Sequence, residues 1–302
     1  MGNPVARAFA LIGDAWTLLI LREAFYGVRR FNLWRERLGI PPTILTDRLQ
    51  RLTTAGVLNQ DPVSRGYRLS EMGRDLYGVA VLQGQWERDY ARPSYQERYA
   101  LHLFDRVSAA PIQPGVLTRE HGFALDRRRV RFEPGPGLEP IAAPTTRRRR
   151  IRDTSANRPV LERSVEIIGD YWSLALISAQ FFRVRRFDEF GPATGIAANV
   201  LSDRLSRLIA ENILERVVYQ HAPIRFEYRL AEAGRGLFPL IMAIHGWSER
   251  WLCPPGASPL SLFDRETNVR ITPVVCDLNT GLRLDPRQVR WEMASLPASK
   301  RA

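Results

Sequence analysis

The chain has 302 residues, 45% hydrophobic and 25% charged, long enough for two domains with cores of their own and too balanced for a disordered or fibrous protein. Basic residues number 44 against 32 acidic ones, and Lys300 is the single lysine, so the net charge of +12 is carried by arginine, whose planar fork suits phosphate and guanine. Two cysteines, Cys253 and Cys276, exclude a disulfide framework and a four-thiolate metal site; without a signal-like start or an apolar run of roughly 18 residues, a cytoplasmic protein is expected.

In chain order, apolar residues recur at helical spacing over residues 4–12 and 14–26, with Pro4 suited to a first turn and Asp14 to an N-cap. Residues 31–38 make a short amphipathic segment, Gly39-Ile40-Pro41-Pro42 a turn, and residues 43–55 a further helix closed by Gly56. Two helices about a tight turn form a helix-turn-helix. Residues 58–62 and 67–69 flank Ser64-Arg65-Gly66 as a strand, turn and strand, which gives a wing, and helical periodicity resumes over residues 71–90.

On the helix at residues 43–55, Leu45, Leu49 and Leu52 share one side. Thr43, Thr46, Asp47, Gln50 and Arg51 lie on or beside the other, a polar, short-chained surface that fits a major groove and can bond base edges or phosphates. Arg29 and Arg30 precede the motif and are placed to hold phosphates, although pairing with local carboxylates is an alternative use. Arg65 and Arg68 on the wing are candidates for backbone or minor-groove contact.

The whole pattern then repeats. At an offset of 156, Gly13–Leu58 aligns without a gap on Gly169–Leu214 with 18 of 46 positions identical, GDAWTLLI answering GDYWSLAL and LTDRLQRL answering LSDRLSRL. The offset becomes 161 through the wing and the helix after it, pairing Gly73 with Gly234 and Trp86 with Trp247, and 159 thereafter, pairing Phe132 with Trp291. The second copy therefore offers Arg185 and Arg186, the helix face Asn199, Ser202, Asp203, Ser206 and Arg207, and a longer wing, residues 214–219 and 224–230, bearing His221 and Arg225. Phe190-Gly191-Pro192 is expected to interrupt the first helix of its motif, because proline supplies no backbone donor. Between the copies, a Pro- and Gly-rich stretch with Arg147-Arg148-Arg149-Arg150 reads as a linker.

Each copy resembles the HxlR-type winged helix-turn-helix regulators. The resemblance rests on Gly13-Asp14-x-Trp16-Thr17, Arg29-Arg30-Phe31, Leu45-Thr46-Asp47-Arg48-Leu49, Ala55-Gly56-Val57-Leu58 and Tyr67-Arg68-Leu69 followed by Gly73, with counterparts from Gly169 to Gly234. It implies small bacterial transcription factors that act as homodimers, so two copies in one chain look like a covalent pseudo-dimer. Some members carry a sensing cysteine before the first helix; here Asn3 and Arg158 stand there, which argues against thiol sensing. Others end in a zinc-ribbon-like module, which residues 101–133 and 260–292 resemble with only Cys276 kept, so two β-rich extensions without zinc are expected.

The expected fold is α+β and mainly helical: winged helix-turn-helix domains at 1–98 and 158–256, β-rich extensions at 99–133 and 257–294, and a linker at 134–157. The expected function is a sequence-specific regulator of transcription that binds double-stranded DNA, acts as a repressor, and sets two recognition helices in successive major grooves about 34 Å apart. Residues 71–90 and 232–251 supply a pairing surface or core. Trp16, Phe25, Tyr26, Trp172, Phe181 and Phe182 are candidates to line a cavity for a small-molecule effector. No catalytic motif, metal-ligand spacing or cofactor loop is present, so neither an enzyme nor a cofactor or metal is expected. The competing reading is a ligand-binding or protein-interaction module on a degenerate regulator fold.

Overall fold

The computed structural model describes residues 4–90, 101–136 and 162–293. Asn3, Arg158, the arginine run at 147–150 and most of the expected linker lie outside them.

In the first copy, α1 (Pro4–Ile12) and α2 (Ala15–Phe25) precede α3 (Phe31–Leu38) and α4 (Pro42–Thr54), followed by β1 (Leu58–Gln60), β2 (Tyr67–Leu69), α5 (Glu71–Asp75) and α6 (Tyr77–Tyr90). Strands β3 (Leu101–Asp105), β4 (Pro114–Thr118) and β5 (Val130–Pro134) complete it. The second copy repeats the order: α7 (Glu162–Ile168), α8 (Tyr171–Phe181), α9 (Phe187–Thr194), α10 (Ala198–Ala210), β6 (Leu214–His221), β7 (Ile224–Leu230), α11 (Glu232–Arg235), α12 (Phe238–Leu252), then β8 (Leu260–Asp264), β9 (Pro273–Asp277) and β10 (Val289–Met293).

Two departures from the sequence expectations have local causes. The helix expected over 71–90 is two, α5 and α6, and its counterpart is likewise α11 and α12, where Pro239 sits in the first turn of α12 and cannot extend an earlier helix. Pro192 does not interrupt α9, which runs through it. Asp188 and Pro192 are both exposed, so the carbonyl that proline leaves without a donor faces solvent.

The compact units do not follow the repeats. One comprises residues 4–20, 126–136 and 165–271; the other comprises 21–90, 101–125, 162–164 and 272–293. Within the first, α1 of copy one packs on α12 of copy two, and Arg7 donates to the Leu252 carbonyl at 3.4 Å. Its ladder β5–β8 likewise joins the two copies. Within the second unit, Gln83 of α6 donates to the Ser164 hydroxyl at 3.1 Å, and the Ser164 amide donates to the Glu87 carboxylate at 2.6 Å. There β3 pairs with β10 and β4 with β9, both antiparallel.

Each of these three ladders thus joins one β-rich extension to the other. Five-residue strands in isolated hairpins bury too little to stand alone, and exchange gives each an edge partner. In the β4–β9 register, Val116 opposes Val275, its own counterpart at the 159 offset, and Pro114 opposes Asp277 as Thr118 opposes Pro273. Helix α6 lies over this ladder so closely that a Cβ on Gly78 would stand 2.8 Å from the Val275 Cβ.

The wing is anchored the same way in both copies. A Cβ on Gly73 would come within 2.2 Å of the Val57 carbonyl oxygen, and one on Gly234 within 2.2 Å of that of Ile213, so both positions need glycine for the close approach of backbones.

Candidate nucleic-acid interface

Helix α4 takes the recognition position of the first motif. Leu45, Leu49 and Leu52 are buried, and the other side exposes Thr43, Thr46, Asp47 and Gln50, with Arg51 half-buried. Helix α10 does the same, burying Leu201, Leu205 and Leu208 and exposing Asn199, Ser202, Asp203 and Ser206. Both helices therefore offer a continuous polar strip on a surface fixed from below by three leucines.

The aspartates on these strips are not bare charges. Arg48 pairs with Asp47, and Arg204 with Asp203, which reduces the repulsion that a carboxylate beside phosphate would create. Arg204 also reaches inward, its Nε donating to Asp170 Oδ2 at 2.7 Å, and Asp170 in turn accepts from the Ser173 amide at 3.1 Å and hydroxyl at 2.6 Å at the start of α8. These hydrogen bonds and the charges of Asp170 and Asp203 hold the guanidinium above its ordinary pKa against its burial, which acts the other way. Asp14 caps α2 in the first copy, accepting from the Thr17 amide at 3.2 Å.

Arg207 has a partner that the sequence did not suggest: its Nη2 donates to the Glu166 carboxylate at 3.0 Å and to the Glu166 carbonyl at 3.2 Å. A phosphate would have to compete with Glu166 for that guanidinium.

The arginine pair before each motif is positioned by the wing. Tyr67 donates its amide to the Arg29 carbonyl at 2.8 Å, and Tyr228 to the Arg185 carbonyl at 2.8 Å, so each pair is tied to a wing strand. The pair Trp34 and Tyr67 meets edge-on at 5.9 Å, as do the equivalent Phe190 and Tyr228 at 6.3 Å, joining α3 and α9 to the same strands. All four arginines, Arg29, Arg30, Arg185 and Arg186, are exposed. The Glu189 carboxylate accepts the amides of Arg185 at 2.8 Å and Arg186 at 3.0 Å, which holds its pKa below the ordinary glutamate value. The Arg186 guanidinium lies over the Tyr219 ring at 4.4 Å.

The first wing is short and its tip is tightly built. Asp61 accepts the Ser64 and Val63 amides at 3.0 and 2.9 Å, which lower its pKa, and Arg65 at the tip adopts a left-handed φ of 50° with its side chain exposed. Arg68 is exposed and 3.9 Å from Asp61. The second wing, β6 and β7, runs 8 and 7 residues and exposes His221 and Arg225 near its tip.

Of the six aromatic residues considered for an effector cavity, Trp16, Trp172, Phe181 and Phe182 fall in the first compact unit and Phe25 and Tyr26 in the second. The cavity of about 330 Å³ in the first compact unit includes Phe182 in its lining, while Phe181 packs on Phe238 at 5.3 Å and Trp172 on Tyr171 at 5.0 Å. In the second unit Phe25 meets Tyr77 at 5.4 Å and Tyr26 meets Trp291 at 6.5 Å. Cys253 and Cys276 are both buried, and burial pushes both thiols above their ordinary pKa.

The family model described as HxlR-like helix-turn-helix matches residues 11–95 and 167–255, more than half of the chain. The chain belongs to this family. It is an HTH-type transcriptional regulator with two tandem family regions, and membership implies DNA binding. An HTH-type transcriptional regulator of Mycobacterium tuberculosis is 40% identical over 144 residues, covering 46% of this chain and 89% of that protein. The HTH-type transcriptional regulator YvaP of Bacillus subtilis is 31% identical over 97 residues, covering 32% of this chain and 90% of YvaP. A solved crystal structure of a protein proposed as a transcription factor is 32% identical, covering 45% of this chain and 94% of its own, with a TM-score of 0.41. Among the described residues no single helix is long and apolar enough to cross a membrane.

Proposed function

We propose that this regulator reads double-stranded DNA sequence-specifically through α4 and α10, and that its two repeats act as a pseudo-dimer within one chain. The observation that carries the reading is the pair of polar strips, Thr43, Thr46, Asp47 and Gln50 on α4 and Asn199, Ser202, Asp203 and Ser206 on α10, each opposite three buried leucines. Side chains of this kind bond base edges in a major groove. Arg29, Arg30, Arg51, Arg185, Arg186 and Arg207 would neutralise flanking phosphates, and the wing residues Arg65, Arg68 and Arg225 the adjacent backbone or minor groove. The chain's +12 charge supports the same partner.

The pairing of Val116 with Val275 supports the pseudo-dimer, because an element that pairs with its own counterpart is the mark of a local two-fold relation. The repeat boundaries, 1–98 with its extension to 133 and 158–256 with its extension to 294, remain our assignment of the duplicated units. We assign repression, since a protein occupying two half-sites blocks access to them.

Gel-shift titration against the DNA flanking the protein's own gene tests the reading. A sequence-preferring shift whose log affinity falls linearly with log salt is expected. A shift indifferent to sequence, or none at all, would instead favour a ligand-binding or protein-interaction module.

A further inference from the structure

In the first compact unit α1 and β5 of copy one and α8 of copy two enclose a cavity of about 330 Å³. Its lining is apolar and aromatic, with Phe9 of α1, Phe132 of β5 and Tyr171, Ala175 and Phe182 of copy two, and the Phe132 and Phe182 rings lie 4.8 Å apart. At the 156 offset, lining residues Ala175, Ser178, Ala179 and Ala193 replace Leu19, Arg22, Glu23 and Arg37 of copy one. In the second unit Arg22 and Arg37 converge on Glu23 at 2.7 and 3.3 Å, and Trp291, the counterpart of Phe132, fills the space against Tyr26 and Tyr77. Copy two thus carries four small side chains where copy one carries large ones.

An apolar cavity of this size is in the range of small-molecule sites, and about twice that known to accept a benzene ring. The Ser178 hydroxyl, on a residue only 3% exposed, has no hydrogen-bond partner among the described residues. Such an unmade bond is a standing demand for a polar atom. Glu133 is the charged residue of the lining, and Arg131 already pairs with it at 3.1 Å. Burial raises the Tyr171 phenol above its ordinary pKa, keeping it neutral.

We infer that this cavity binds one neutral, planar aromatic molecule of one or two fused rings carrying a single hydroxyl or N–H group. That such a ligand acts as the regulator's effector rests on the function proposed above; binding itself does not.

Isothermal titration of the full chain with 2-naphthol and with indole tests it. Saturable binding of one molecule per chain is expected, with 2-naphthoate at least tenfold weaker because its charge would enter an apolar space. Ala175→Leu, which restores the side chain of copy one, should weaken 2-naphthol at least tenfold, and Phe132→Trp, on a strand, supplies the same filling if the helix variant fails to fold. Absence of saturable binding for both probes, two sites per chain, equal affinity for 2-naphthoate, or affinity unmoved by a folded filling variant would overturn the inference. Gel shifts without ligand are read separately: naphthol binding with no DNA shift would sink the regulator reading and leave the pocket standing.

Discussion

Val116 and Val275 face each other across the β4–β9 ladder although they hold the same place in the two repeats. With β3–β10 and β5–β8 added, the backbone bonds of three ladders run between copies, and α1 and Ser164 add side-chain burial to them. If these contacts form a pseudo-dimer, the covalent linker is dispensable once the protein has folded. A protease site inserted between residues 137 and 157 should give halves that still co-elute on size exclusion after cleavage, and separate only in denaturant. Halves that part in native buffer would refute the pseudo-dimer.

Asp170 joins three donors: the Ser173 amide and hydroxyl and the Arg204 guanidinium. It is 6% exposed and caps α8 while holding α10 from beneath. Asp170→Ala therefore removes a cap and the inner partner of Arg204, which retains Asp203, and should cost about 2–4 kcal/mol. Urea unfolding checks this: the midpoint should fall with the slope unchanged. Asp170→Asn keeps an oxygen that accepts from the Ser173 amide and should lose less than Asp170→Ala.

Much of one motif was legible in the sequence because its signals are local. Leucine spacing on α4 and α10 and Asp14 as a cap act over a few residues and the structure puts each where the pattern implies, while the wing turn falls at Pro62-Val63-Ser64, with Arg65 left-handed just after it. Strand partners are a different matter. Nothing within β3, β4 or β5 distinguishes a neighbour in its own extension from one over a hundred residues away, so the exchange is not legible in the sequence. The cavity is legible only in part: of the aromatic candidates Phe182 lines it, and the broader signal is the small side chains at Ala175, Ser178, Ala179 and Ala193 where copy one has large ones. Arg207 illustrates the limit for charges, since its distance of 3.0 Å to Glu166 depends on how α7 meets α10.

Gln50 and Arg65 should separate base reading from phosphate holding. Gln50 stands on the exposed strip of α4, so Gln50→Ala should cost about 1–3 kcal/mol on the preferred site and relax selectivity at one base pair. Arg65, at the wing tip, should act alike on all sequences: Arg65→Ala lowers affinity uniformly and reduces the salt slope by about 1. Competition gel shifts across single-base operator variants at several salt concentrations measure both. Uniform loss for Gln50→Ala would remove α4 from base reading.

His245 lies fully buried in α12 with neither ring nitrogen bonded among the described residues, and burial, with Arg270 adding repulsion, lowers its pKa from 6.5 to about 4. The folded state thus resists a proton that the unfolded chain accepts, so stability is complete above pH 6.5 and is lost as pH falls toward 4. At about 1.36 kcal/mol per unit, this one group should withdraw about 2 kcal/mol between pH 7 and pH 5 and roughly 3 kcal/mol by pH 4. Carboxylates titrate in the same window, so the measurement is a difference: denaturant unfolding of the protein and of His245→Leu across that range. The variant should lose less stability on acidification, since it has no imidazole to charge and leaves no ring nitrogen unbonded. Parallel curves for the two proteins would mean that His245 finds a partner in solution and is not the acid-sensitive element of this helix.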